Sequence, residues 1–199
     1  MFLLETRGDS IKARQISRFI SSNLITYAYE DRKGNLWIAT GDNGIFRFDK
    51  NNQSKHYSGE KDIAKNTVSS MCEDKQGNLY MSSLKKGLFI YDDKKDVFIP
   101  FTDTPNPDLP IKILYPGDQN EIFIGTDGSG MKVYDTQEQK IKEANFNITT
   151  FNLKKAKVHS ILKDKIGNIW LGFFQKGVMI IPAITNEFKY LGYKSSRHN

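Results

Sequence analysis

The chain has 199 residues, 38% of them hydrophobic and 12% aromatic, which is enough for a packed core and too much for a disordered tail. Its net charge of +6 comes from 29 Lys and Arg interspersed with 23 Asp and Glu, and no basic run is long enough to read as a nucleic-acid-binding arm. A single cysteine, Cys72, excludes an internal disulfide and a cysteine-based zinc site, and no apolar run reaches the roughly 20 residues of a membrane-spanning helix.

In chain order, the opening "MFLLE" (1–5) is too short and too soon acidic for a signal peptide. It matches "IFRFD" (45–49), so the chain is expected to start at the third strand of an incomplete unit, with "ARQISRFI" (13–20) as the outer strand. "ITYAYED" (25–31) alternates as a strand, and "DRKGN" (31–35) is a tight turn. There Asp31 accepts backbone N–H groups and Gly34 takes a positive φ. "LWIAT" (36–40) is a short apolar strand, followed by a loop, the strand "GIFRFD" (44–49) and a weaker fourth strand, "SKHY" (54–57).

The same order then recurs. Aligned on its aromatic, the phrase places Trp37, Tyr80, Phe123 and Trp170 at spacings of 43, 43 and 47. The glycine opening the third strand, Gly44, Gly87, Gly130 and Gly177, has the same spacings. The turn recurs as Asp74 with Gly77 and as Asp164 with Gly167, while the third unit has Gly117 in place of the acid and "DQNE" after it. Further third strands are "GLFIYD", "GMKVYD" and "GVMIIP"; further fourth strands are "DVFIPF", "KIKEA" and "NEFKY" (186–190). Continuous apolar strands imply burial on both faces. Four strands in about 43 residues, repeated, make a β-propeller blade, and the helical periodicity of other repeat classes is absent.

The expected fold is therefore an all-β propeller of four-stranded antiparallel blades, incomplete at both ends, a fragment of a seven-bladed ring. The units are 1–23, the outer two strands of a preceding blade, then blades at 24–66, 67–108 and 109–156. The last, 157–199, is a blade plus the lead-in to a next one. Trp37, Tyr80, Phe123 and Trp170 are expected to pack between blades, and Cys72 to be a small buried hydrophobe.

The string ED-x-x-G-N-L-W-I-A-T-x-x-x-G-[IL]-F-x-[FY]-D resembles the two-component regulator propeller repeat over Met1 to about Tyr190. Departures are Ser83 and Phe173 where Thr40 and Thr126 stand, the worn third turn, and Pro182 for the terminal acid. The resemblance implies the periplasmic sensor region of a hybrid two-component system histidine kinase. Such a protein has two seven-bladed propellers, an immunoglobulin-like domain, a membrane helix, kinase and receiver domains and a DNA-binding domain. It implies oligosaccharides from polysaccharide breakdown as the signal and a homodimeric ectodomain. Kinase and DNA-binding activity would belong to the parent, and the membrane is reached only through parent segments absent here.

Ligand candidates lie on the loops between second and third strands, which vary while the strands repeat. They are Asp42, Asn43, Lys85, Lys86, Asp127, Phe173, Phe174, Gln175 and Lys176. The phenylalanines offer faces for a sugar to stack on, and the lysines can meet a carboxylate or sulfate. A sialidase-like hydrolase or a lyase is the alternative, but the D-x-x-G-N turn only resembles the sialidase Asp-box, and no paired carboxylates or arginine cluster stand out. A protein-interaction scaffold is the other alternative. No catalytic residue, cofactor or metal site is expected; "DDKKD" (92–96) lacks the glycine and distal glutamate of a calcium loop.

Overall fold

The computed structural model describes residues 2–7, 10–15, 20, 24–51, 53–58, 67–102, 109–118, 120–146 and 151–183. The strand expected at 186–190 and the final lead-in lie outside them. The described strands form five antiparallel sheets. The first pairs β1 (Phe2–Arg7) with β2 (Ser10–Gln15). The second is β3 (Ile25–Glu30), β4 (Leu36–Thr40), β5 (Ile45–Phe48) and β6 (Ser54–Tyr57). The third is β7 (Val68–Glu73), β8 (Leu79–Ser83), β9 (Gly87–Asp92) and β10 (Val97–Pro100). The fourth is β11 (Ile111–Pro116), β12 (Glu121–Thr126), β13 (Met131–Asp135) and β14 (Lys140–Glu143), and the last is β15 (Val158–Lys163), β16 (Ile169–Phe173) and β17 (Gly177–Ile181).

Within each sheet the strands lie in chain order, and β3, β7, β11 and β15 are neighbours across sheets. The first strand of every unit is thus the innermost, and the sheets fan around an axis as propeller blades do. The fold is an incomplete β-propeller. One expectation is corrected: the described partner of β1 begins at Ser10 rather than at position 13, since the register runs from Phe2↔Gln15 to Arg7↔Ser10, and residues 16–19 of the strand expected at 13–20 lie outside the described residues.

The two-faced apolar strands account for the core. Trp37, Ala39 and Ile45 pack forward onto Val68, Met71, Leu79, Met81, Phe89 and Phe98 of the next blade. Cys72, Tyr80 and Leu88 meet Ile111, Leu114, Ile122, Ile124 and Tyr134 in the same way. Phe123 and Met131 meet Val158, Ile161, Leu171 and Phe173. Adjacent residues such as Tyr80 and Met81 point to opposite neighbours, as strand pleating requires. Each large side chain so buried contributes about 1.5–3 kcal/mol.

The last sheet departs from this. Its forward-facing residues, Leu162, Trp170, Val178 and Ile180, are 57, 38, 66 and 49% exposed. Trp170 is therefore not an inter-blade core residue among the described residues, unlike Trp37, Tyr80 and Phe123. No described sheet lies beyond β15–β17 to cover it.

Charged groups tie blade rims together. Asp96, in the β9–β10 turn, accepts from Tyr57 Oη (2.6 Å), Lys55 Nζ (2.6 Å), Arg47 Nη1 (2.9 Å) and the Tyr91 hydroxyl. Burial alone would raise its pKa; the bonds from Lys55, Tyr57 and Tyr91 and the Arg47 charge outweigh that and hold the carboxyl well below the usual range.

Candidate ligand face

Each blade has two ends, and the repeated phrase builds one of them. Asp31 is buried; its Oδ1 accepts from the Asn35 backbone N (2.8 Å), and its Oδ2 from Asn35 Nδ2 (2.8 Å) and Trp37 Nε1 (2.8 Å). Asp74 repeats this with Asn78 N (2.8 Å), Asn78 Nδ2 (2.7 Å) and Tyr80 Oη (3.0 Å). Asp164 does so with Asn168 N (2.9 Å), Asn168 Nδ2 (2.8 Å) and Trp170 Nε1 (2.9 Å). The Trp170 bond is the leading reason the Asp164 pKa is lowered. Gly34, at φ +78°, donates its N–H to the Asp31 carbonyl at 2.8 Å and closes the turn. The acid, asparagine and aromatic are one structural unit, so these residues belong to the scaffold.

The other end carries the variable loops. Thr40 Oγ1 donates to the Gly44 carbonyl (2.8 Å) and accepts from Asn43 N (3.0 Å). Thr126 clamps its loop alike, to the Gly130 carbonyl (2.7 Å) and Ser129 N (2.9 Å), and Ser83 Oγ accepts from Lys85 N (3.1 Å). Three of the loops are also tied to the lead-in before the innermost strand. Gly41 N donates to the Leu24 carbonyl, Asp127 N to that of Pro110 and Phe174 N to that of Lys157, at 2.9, 2.9 and 3.0 Å. Gly130 passes so close to the 3₁₀ turn at Leu153–Lys155 that a Cβ there would lie 2.3 Å from the Leu153 carbonyl oxygen.

One polar–aromatic cluster forms on this face, from two successive blades. Asp127 Oδ1 lies 3.1 Å from Lys157 Nζ and 3.3 Å from His159 Nε2. The His159 ring lies 5.2 Å from that of Phe174, and Lys157 Nζ is 5.6 Å from the Phe174 centroid. Phe174 is 47% exposed. Hydrogen bonds from Lys157 and then His159 lower the Asp127 pKa, so it is a carboxylate poised to accept.

Of the sequence candidates, Asp127 and Phe174 are thus brought together. Gln175, held at φ +57°, and Lys176 continue the Phe174 loop and are exposed. Asp42 and Asn43 lie on the loop after β4, where the Asn43 carbonyl meets His56 Nε2 at 2.6 Å. Lys85 and Lys86 are exposed on the loop after β8. Phe173 is a correction: it is buried, 4.8 Å from the Phe151 ring, because in β16 it shares the parity of Leu171 and faces the preceding blade. Lys157 and His159 were not singled out from sequence; Lys157 ends the lead-in to β15 and His159 is the second residue of that strand, within the one irregular repeat spacing. Among the described residues no group of three or more His, Cys, Asp or Glu is placed to hold a metal ion, and no helix is long and apolar enough to cross a membrane.

Comparison with known proteins matches the two-component regulator propeller family model at residues 20–42 and 62–85. No curated protein sequence matches the chain. Among solved structures, the extracellular domain of the hybrid two-component system BT3049 of B. thetaiotaomicron is 25% identical, with a TM-score of 0.67 over 82% of this chain and 22% of that one. The extracellular domain of BT4673 from the same organism is 22% identical, with a TM-score of 0.65 over 84% of this chain and 25% of that one. The chain therefore spans about a quarter of either ectodomain's length. Virginiamycin B lyase of Staphylococcus aureus is 13% identical, with a TM-score of 0.66 over 93% of this chain and 64% of that one, a likeness of fold alone. With its turns, glycines and blade aromatics in the order described, the chain is a β-propeller that resembles two-component regulator propeller repeats, and the family model matches it at two of them, residues 20–42 and 62–85.

Proposed function

We propose that the chain is a periplasmic segment of the sensor ectodomain of a hybrid two-component system, and that its loop face helps to recognise an oligosaccharide released from a polysaccharide. The observation that carries this reading is the Asp127–Lys157–His159–Phe174 cluster. A half-exposed aromatic ring flanked by an acceptor and donors suits a sugar, whose C–H face stacks while its hydroxyls hydrogen-bond. The similarity to sensor ectodomains supports the same role.

Signalling of this kind needs no chemistry in this segment. A ligand held better by one arrangement of the ectodomain shifts the population toward it, by no more than its differential affinity. A dimeric ectodomain would pass that shift to the kinase of the parent protein. Glycoside hydrolysis fits the cluster less well: a general acid needs a raised pKa, and that of Asp127 is lowered.

Calorimetric titration of the purified protein with a panel of neutral and acidic oligosaccharides tests the reading. Binding that Phe174→Ala weakens by tenfold or more is expected; a panel without a single binder would move the assignment to a scaffold role.

A further inference from the structure

Each innermost strand carries one extra residue at the same place. The register shifts between Ile25 and Tyr27, Val68 and Ser70, Ile111 and Ile113, and Val158 and Ser160. The bulged residues are Thr26, Ser69, Lys112 and His159, all polar and all second in their strands. A bulge interrupts the ladder and re-aims a side chain, and bulges concentrate beside functional sites. Because β3, β7, β11 and β15 are neighbours around the axis, the four residues form a row at the loop-face end of the inner wall.

The row is unevenly satisfied. Ser69 Oγ donates to the Ile111 carbonyl of the next inner strand at 2.6 Å and lies 3.0 Å from Ser82 Oγ. His159 faces Asp127 and Phe174. Thr26 Oγ1 is buried with no hydrogen-bond partner, the one such side-chain atom among the described residues. Lys112, between Ser69 and His159 in the row, is half-buried, and no described residue gives its ammonium a hydrogen bond or a counter-charge. A buried hydroxyl without a partner and a partly desolvated cation without an anion are both costly. The surroundings add to the positive potential. Lys85, Lys86, Lys154, Lys155, Lys157 and Lys176 are exposed on loops and lead-ins of this face, against Asp42 and Asp127 among the described residues.

We infer that this axial row reads an anionic substituent, and that the ligand of the loop face is an acidic oligosaccharide bearing a carboxylate or a sulfate. Lys112 supplies the counter-charge, with His159 beside it in the row as a hydrogen-bonding group. The neighbouring sugar unit lies on Phe174. The inference rests on the loop-face reading above and adds the ligand's charge class to it.

Three probes separate the possibilities: an oligogalacturonate tetramer, a sulfated galactan tetramer and a neutral galactan tetramer, each titrated calorimetrically into the purified 199-residue protein. The expected result is that one of the two acidic probes binds, at least tenfold more tightly than the neutral one, and more weakly as NaCl is added. Which acidic probe binds names the anion. Lys112→Gln should erase that preference while Lys112→Arg keeps it, and an unchanged circular dichroism spectrum and melting temperature should accompany both. Equal binding of all three probes, or a preference untouched by Lys112→Gln, would overturn the inference. If Phe174→Ala still weakened binding in that case, the loop-face reading would stand without it. Absence of binding by all three would count against both.

Discussion

Asp31 Oδ2 accepts the indole N–H of Trp37 at 2.8 Å, six residues along the chain and across the tip of the hairpin. The same bond joins Asp74 to Tyr80 and Asp164 to Trp170. Where the acid is replaced by Gly117, the aromatic is Phe123, which has no polar hydrogen, and Glu121 stands where the other repeats have asparagine. Among the described residues the third turn keeps the backbone closure from Gly117 N to the Glu121 carbonyl (2.7 Å). The three partners are present together or absent together, as expected if each is useful only with the others.

Removing one partner therefore strands another. Trp37→Phe leaves a buried carboxylate short of a donor and should cost about 1–3 kcal/mol. For a domain of this size that is about 2–4 °C of melting temperature per kcal/mol, measurable by calorimetry. The reciprocal change, Phe123→Tyr, adds a hydroxyl where Gly117 offers no acceptor. It should destabilise rather than rescue, although tyrosine is the residue found at position 80.

The Asp96 knot predicts a pH dependence of definite sign. Its folded pKa lies below the value of about 4 expected for an unfolded aspartate, so the unfolded chain binds more protons in that window. The stabilisation is complete above that unfolded pKa and is lost as pH falls from it through the lower folded pKa. Asp96→Asn should reduce stability by about 1–3 kcal/mol at neutral pH and flatten the acid limb of a urea-midpoint against pH plot.

The two tryptophans should report opposite environments. Trp37 is 1% exposed and Trp170 38% exposed. In the 199-residue chain, acrylamide should quench Trp170 readily and Trp37 hardly at all, as resolved with Trp37→Phe and Trp170→Phe. Trp37→Ala should cost about 3–5 kcal/mol, as for a fully packed aromatic. Trp170→Ala should cost nearer to 1 kcal/mol, in the range of ordinary substitutions.

Cys72 is buried between blades, and its thiol pKa is pushed up by burial first and by Asp74 and Glu73 next. It should resist a thiol reagent such as dithiobisnitrobenzoate in the folded protein and react fully once denatured.

The architecture was legible because a propeller writes itself into its chain at a fixed period. Trp37, Tyr80 and Phe123 recur because each fills the same inter-blade seam, and Gly34, Gly77 and Gly167 recur because the turn needs a positive φ. The Asp31–Trp37 bond was hidden because turn geometry already accounts for an aspartate there. Phe173 misled because its position after Leu171 looks like the start of a loop, while strand parity still turns it into the core. Trp170 looked like its equivalents because a sequence pattern records which face is apolar and not whether a neighbour covers it. Lys157 and His159 escaped notice because their positions recur but their residue types do not: the equivalents of His159 are Thr26, Ser69 and Lys112, and a bulge leaves no residue signature of its own.

The most direct test of the account is titration of the purified protein with oligosaccharides beside its Phe174→Ala variant, read by calorimetry and by melting temperature. A ligand that binds only the folded state must raise the melting temperature. The account predicts saturable binding with that rise, and loss of both in the variant while its own fold and melting temperature are unchanged. Oligosaccharide binding undiminished by Phe174→Ala, or no binding to the unaltered protein, would contradict the assignment of the loop face as a ligand surface.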